Sequence, residues 1–455
     1  MFNKYLTSGH SAIEKTVNFH RKHYPDEHSL VIWYSPLKPV IYVYTAEGVE
    51  QIVKKKEWNE KSFFYTLLHD WLGNALLTSK GEDWNKRRKM LTPAFHFNIL
   101  ENFIQVMNKH ARIMVRKMVE EIENSDDGVV EIEIHDKVAL SALDIICETA
   151  MGQDLKIQDS KKGSPGYNYA KTIESSSPRI MKRLNTPWLW PKFIHDNFSE
   201  GKLLTTEIDS MKAFTRKIIE TRMAERSQSE KELNFGSKQL AFLDILLENY
   251  ENGEMDFQGV RDEVETFMFE GHDTTASGMS FMVHLLGNDR RVQEKVQDEL
   301  DEKLSDTSLE NLEIDNNDLE CLAYLESSAR ESMRVFPPVP YVSRKHPSIP
   351  EAEVMLGIPF ILTETKNWED PYKFKPERFL EENVKRHPLA FIPFSAGYRN
   401  CIGQRFALME IKIQMAFFFK FLNVESVQTS ESLKIEAPMI LRSKEGLRVR
   451  ISKRK

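Results

Sequence analysis

The sequence predicts a mainly α-helical protein with a small β region, and three features carry that expectation. From about Glu101 onward, apolar residues recur at intervals of three and four with charges between them, as at Ile113, Val115, Met118 and Ile122, which is the period of one helix face. Near the start, Leu30-Val31-Ile32-Trp33-Tyr34 and Val40-Ile41-Tyr42-Val43-Tyr44 are β-branched and aromatic runs around Ser35-Pro36-Leu37-Lys38-Pro39, the pattern of two short strands paired about a turn. Weaker strand character returns between Pro340 and Leu362 and at Leu447-Arg448-Val449-Arg450-Ile451. Asp154 to Gly166 is polar and turn-rich, and Arg226 to Lys238 is a charged connector. Both lie between helices, and no internal repeat is visible, so residues 1–455 are expected to form a single domain.

Composition narrows the function. Of 455 residues, 41% are hydrophobic and 29% charged, which is globular, and the net charge of −7 excludes a nucleic-acid binder that relies on bulk positive charge. Cys147, Cys321 and Cys401 are too few and too scattered for a disulfide framework and form no zinc-ligand spacing, so reduced thiols facing a cytosolic environment are expected. The apolar stretch Met415 to Phe419, which no other run exceeds, ends at Lys420 and falls far short of the ~20 residues a spanning helix needs. The N-terminal residues show no signal-peptide pattern.

The densest chemistry lies at Phe394-Ser395-Ala396-Gly397-Tyr398-Arg399-Asn400-Cys401-Ile402-Gly403. A helical pattern begins just beyond Cys401, so the thiol meets free backbone N–H groups and the positive end of a helix dipole, which favours thiolate. Gly397 and Gly403 allow left-handed angles and close approach to a flat ligand, and Arg399 is placed to pair with a ligand carboxylate. A lone cysteine before a helix is usually structural. Here the whole spacing Phe-x-x-Gly-x-Arg-x-Cys-x-Gly is met, and it resembles the haem-binding signature of the cytochrome P450 superfamily at every fixed position. The resemblance implies the cytochrome P450 fold, with haem between the long central helix and the cysteine loop. Cys401 becomes the metal ligand, with Phe394 and Arg399 beside the cofactor.

Further motifs follow in the family's order. Trp84-Asn85-Lys86-Arg87-Arg88 matches Trp-x-x-x-Arg, so that Trp84 and Arg88 would hold a haem propionate; their spacing puts both on one helix face, as an ordinary amphipathic helix start also would. Glu270-Gly271-His272-Asp273-Thr274-Thr275 resembles the oxygen-activating stretch. Gly271 would leave room for dioxygen, and Asp273 and Thr274 would be the catalytic pair that delivers protons. The bland alternative has both threonines bonding back to the preceding helical turn. Glu331 and Arg334, three apart on one helix, form a pair typically worth ~0.2–0.5 kcal/mol. With Arg378 of Pro376-Glu377-Arg378-Phe379 they match the family's structural Glu-Arg-Arg network. Arg344 matches a position that gives another propionate contact.

Arg88 to Phe97, Asp144 to Gly152 and the Glu270–Thr275 run are similar to the fatty-acid ω-hydroxylase branch, family four. In many members the residue matching Glu270 is esterified to a haem methyl, so a covalent link is expected here, against the alternative of a buried protonated carboxyl. The implied activity is insertion of one oxygen atom of O₂ into a lipophilic substrate, with ω-hydroxylation of fatty acids or related lipids as the specific expectation. Electrons would come from NADPH through NADPH-cytochrome P450 reductase, docked on Lys86, Arg87 and Lys89 unless these form only a solvated helix face. The implied location is the cytosolic face of the endoplasmic reticulum membrane.

Two departures from the family pattern stand out. The anchor helix and proline-rich hinge that open microsomal relatives are absent, which leaves a partial chain or peripheral attachment to the membrane surface. The segment 350–368 is short by about one strand, which would leave buried backbone groups of neighbouring strands unpaired at roughly 1–3 kcal/mol each. That deletion supports an alternative: a haem- or lipid-binding protein that keeps the fold and has lost turnover. A haem-thiolate isomerase or dehydratase is a third reading, against which the retained Asp273-Thr274 pair argues.

Overall fold

The computed structural model describes residues 8–35, 38–231, 242–305, 308–381 and 385–454. Its strands are β1 (Ser29–Ser35), β2 (Lys38–Val43), β3 (Val129–Glu133), β4 (Tyr341–Lys345), β5 (Glu353–Gly357), β6 (Leu422–Ser426), β7 (Ile435–Glu436), β8 (Arg442–Ser443) and β9 (Arg448–Lys453). The rest is dominated by helices, the longest being Ser199–Lys231 and the central helix Phe257–Asn288. The chain forms two compact units. One comprises Met1–Asn59, Met107–Val138 and Thr274–Lys455, the other Glu60–Val106 and Ala139–Asp273.

In the first unit a four-stranded sheet runs in the order β1-β2-β5-β4. The expected hairpin is its edge, β1 antiparallel to β2 with Val31 opposite Ile41. The helix Ala46–Val53 follows β2 directly, started by Thr45, whose side chain accepts from the Gly48 N–H at 3.1 Å. Its buried face, Val49, Ile52 and Val53, packs with Val354, Leu356 and Ile392 into one apolar cluster. A second sheet has the order β3-β9-β6. The C-terminal strand expected at Leu447 to Ile451 is β9, the middle strand of this sheet. The helical reading from Glu101 onward passed over β3, although Val130, Ile132 and the intervening Glu131 alternate as a half-buried strand does.

The 350–368 segment does not produce the exposed backbone expected of it. β4 and β5 pair antiparallel over consecutive residues from Tyr341↔Gly357 to Lys345↔Glu353, and β5 pairs in parallel with β2 from Val40↔Glu353 to Val43↔Leu356. The turn between β4 and β5 is closed by the His346 N–H on Ala352 O at 3.1 Å, with His346 Nδ1 accepting from Ser348 and Ile349. β5 is thus paired on both sides and β4 along the side that faces it, so the open strand on which the reading of a fold without turnover rested does not appear at β5.

The Glu-Arg-Arg network forms as expected. Arg334 clasps Glu331 through Nε at 2.7 Å and Nη2 at 2.8 Å, and Arg378 Nε reaches Glu331 at 3.3 Å. The side chains of Glu331 and Arg334 are both 0% exposed, so this is no surface pair.

The second unit is built of helices. Pro165–Leu184 lies against Ser199–Lys231, with the Tyr169 and Phe214 rings 4.8 Å apart. Arg222 joins Ser199–Lys231 to Phe242–Glu251 through both oxygens of Asp244, at 2.9 and 2.7 Å. Of the connector expected from Arg226 to Lys238, the residues up to Lys231 are helical, and the remaining ones lie outside the described residues. Among the described residues no helix is long and apolar enough to cross a membrane.

Because Glu331 and Arg334 are fully buried, Glu331→Ala should lower the free energy of unfolding by about 3–5 kcal/mol, read by urea denaturation. Removing the exposed pair Arg290–Glu294 should leave the transition unmoved. Equal effects from the two would show that the buried network does not hold the fold.

Candidate active site

Within the first unit the cysteine loop is set by backbone geometry. Ser395 and Gly397 have φ of 57° and 71°, and a short 3-10 turn at Gly397–Arg399 leads to Cys401, whose N–H donates to Phe394 O at 2.9 Å. A Cβ on Gly397 would stand 2.1 Å from Val53 O, so glycine is required there because the end of the Ala46–Val53 helix fills the space. Gly403, at φ −88°, is not left-handed as the sequence reading expected; it caps the helix Gln404–Phe421. Cys401 is exposed just ahead of that helix, so its thiol is accessible, as a ligand thiol has to be. Phe394 is half-buried. Arg399 is buried, its Nε on the backbone and side-chain oxygens of Asn59 at 3.0 and 3.1 Å, which fixes its guanidinium. Arg344 is buried on β4, opposite Val354, with Nη1 on Ser343 O at 3.0 Å. Thr274, the next residue after Asp273 along the central helix, is half-buried.

Within the second unit, Trp84 is buried and Arg88 half-buried on one face of the helix Gly81–Leu91. Arg87 is not part of a free basic surface: its Nη1 donates to Glu263 at 2.8 Å and its Nε lies 3.4 Å from Asp83. Lys86 donates to Glu254 O at 3.1 Å and Lys89 is exposed. On the central helix Glu270 is half-buried and Asp273 buried. Desolvation pushes the Glu270 carboxyl up to about 7; the Lys61 cation pulls it down, and the Glu263 carboxylate raises it. His272 turns away to Met268 O at 2.7 Å. Gly271 does not open a gap as expected: a Cβ there would meet Ile146 Cδ1 at 2.8 Å, so its smallness lets the helix Ile134–Thr149 approach.

Sequence reasoning missed a set of contacts around residues 61–76. The Trp71 indole donates to Glu265 at 3.2 Å, the Asn74 N–H to Asp262 at 2.9 Å and the Leu76 N–H to Glu263 at 3.2 Å. Burial pushes the Glu263 and Glu265 carboxyls up to about 7, opposed by Arg87 at the first and by Thr215 and Trp71 at the second. The signal was present as acids at 262, 263 and 265 in a helix otherwise apolar at Val260, Val264, Phe267 and Met268. Their partners lie about 190 residues upstream, which no local pattern reveals.

An exposed thiol suits soft ligation to iron, and fixed guanidinium groups suit porphyrin carboxylates; the residues present are chemically matched to haem.

Comparison with known proteins agrees. The sequence profile of the family Cytochrome P450 matches residues 4–451. Cytochrome P450 4V2 of Mus musculus is 38% identical over 442 residues, 93% of this chain and 82% of the relative. The Homo sapiens protein of the same name is 37% identical over 444 residues, again 93% and 82%. Cytochrome P450 4c3 of Drosophila melanogaster is 36% identical over 440 residues, 91% of this chain and 80% of the relative. The signature around Cys401, the buried Glu331–Arg334–Arg378 network and a match spanning nearly every residue agree, and the chain belongs to the cytochrome P450 family, as a haem monooxygenase whose similar relatives lie in family 4.

Proposed function

We propose that the chain hydroxylates the terminal carbon of medium- or long-chain fatty acids or similar amphipathic lipids, acting as one catalytic domain. The observation that carries the haem site is the Cys401 thiol, exposed ahead of its helix in a loop pinned by the Cys401 N–H on Phe394 O. Cys401 would ligate the iron, and Trp84, Arg88, Arg344 and Arg399 would hold the propionates, with Phe394 against the ring. Haem, when bound, supplies dioxygen binding and the oxidising power for an unactivated C–H bond. Asp273 and Thr274 would hold and pass protons at a carboxyl and a hydroxyl that share one helical turn. A terminal methyl C–H is stronger than its neighbours, so regiochemistry has to come from positioning. An ester between Glu270 and a haem methyl would stiffen the floor of the pocket.

Electrons would come from NADPH-cytochrome P450 reductase, an acidic partner for exposed Lys86 and Lys89. Attachment to the cytosolic face of the endoplasmic reticulum membrane is supported by exposed Trp188, Phe193 and Phe198, interspersed with exposed Lys192 and Lys202.

The reduced, carbon-monoxide-bound protein should show the strongly red-shifted Soret band of thiolate ligation, and Cys401→Ser should abolish it; a band at the position of histidine-ligated haem would sink the ligand assignment. After acid denaturation, mass spectrometry should find haem attached to the wild-type chain and free from Glu270→Gln. With reductase and NADPH, a long-chain fatty acid should yield mostly the terminal alcohol, and a product oxidised mainly at inner carbons would remove the ω-specificity.

A further inference from the structure

Two cations of the second unit have no anion to match them. Lys212, half-buried on the helix Ser199–Lys231, donates from Nζ to the backbone O of Asp70 at 2.5 Å. The Asp70 carboxylate itself is taken by Arg183 and Lys192, each at 3.1 Å, and no carboxylate among the described residues pairs with Lys212. Arg261, on the central helix, donates from Nη2 to the Gln258 side chain at 2.6 Å. Its Nε is buried without an acceptor, and no carboxylate among the described residues pairs with it either.

Both cations stand at one helix crossing. Thr215, one turn after Lys212, donates to Glu265, one turn after Arg261, and residues one turn apart share a helix face. Trp71, the neighbour of Asp70, donates to the other Glu265 oxygen at 3.2 Å. Asp262 likewise accepts from the Asn74 N–H and the Gln258 side chain. The acids at the crossing are thus spent on neutral donors. Burial and the Arg261 guanidinium hold the Lys212 ammonium below the usual lysine range, against the pull of Glu265, Asp262 and Asp209. Apolar surface adjoins the same place. Arg183, besides binding Asp70, donates to Leu189 O and Trp190 O at 3.3 and 3.2 Å, and the Trp190 ring packs on Phe63 and Phe64 with centres 5.1 and 6.1 Å apart.

We propose that Lys212, with Arg261 beside it, binds the carboxylate of the fatty-acid substrate and so decides which end of the chain is oxidised. This rests on the fatty-acid reading above. A half-buried ammonium with two donors to spare gains most from a carboxylate, through charge-assisted bonds. At about 1.5 Å per residue, Arg261 lies about 18 Å along the central helix from Asp273. An acid held by its head at Arg261 and Lys212 therefore extends its far end towards Asp273, a span that a short-chain acid does not cover.

The test measures binding of dodecanoate and of uncharged 1-dodecanol to the haem-loaded full chain by equilibrium dialysis at neutral pH. Lys212→Gln keeps a donor for Asp70 O and loses the charge. It should bind dodecanoate about tenfold more weakly than the wild type and 1-dodecanol equally well. Lys212→Arg should keep the affinity for the acid, and Arg261→Gln should weaken it without touching the alcohol. Unchanged dodecanoate binding in Lys212→Gln overturns the proposal. So does an equal loss for acid and alcohol, which would make Lys212 a tether for Asp70 alone, and so does a wild type that binds no dodecanoate. The position at which the wild type oxidises dodecanoate tests the ω-hydroxylase reading separately: oxidation at inner carbons removes that reading, while a loss confined to the acid still supports the anion site.

Discussion

One buried carboxylate organises the irregular part of the larger unit. Glu331 accepts from Arg334, Arg378 and the Lys375 N–H, and Arg334 spends its remaining donors on the carbonyls of Leu362, Pro371 and Lys373 at 3.0, 2.6 and 3.2 Å. Those carbonyls belong to a stretch with neither ladder nor helix to pair them, and buried carbonyls need partners. Arginine serves because its planar fork carries five donors and its face stacks on Trp368 at 5.1 Å; a lysine would leave most of these carbonyls unpaired. Arg378 adds the Asp370 carbonyl at 2.9 Å, where the backbone takes φ of 44°. The chain that leads to the cysteine loop is thus held by charge-assisted bonds.

The other unit uses acids differently. On the first part of the central helix, Asp262, Glu263 and Glu265 accept from N–H groups of residues 71–76, and Glu263 accepts from Arg87 as well. Burial raises all three, and it brings Glu263 and Glu265 up to about 7. Glu270, a turn and a half further on, shares that environment, and Lys61 is the cation set against it.

A cytochrome P450 monooxygenase directs powerful chemistry mainly by holding things still. In the first unit Gly397 against Val53, the Cys401 N–H on Phe394 O and Arg399 on Asn59 set the cysteine loop, while the buried ion pairs hold the stretch from Leu362 to Lys375. In the second, stillness comes from helix packing, as at Gly271 against Ile146, and from carboxyls that bind backbone N–H groups. The same low-dielectric surroundings that make these contacts strong also shift the acids towards neutrality.

The sequence by itself determined the helical class, the β1–β2 hairpin, the cysteine loop and the Glu331–Arg334–Arg378 network, because each is written in local spacing or in a signature few sequences satisfy. It misjudged what depends on distant packing. Gly397 and Gly271 read as room for a ligand, yet Val53 and Ile146 occupy those spaces; Arg87 read as a surface charge, yet Glu263 holds it. The shortened 350–368 segment read as unpaired backbone, yet β5 finds β2 more than 300 residues earlier and β4 beside it. Only the tertiary structure decided these, since a glycine, an arginine or a strand edge states what it is able to meet, while folding alone brings the partner to it.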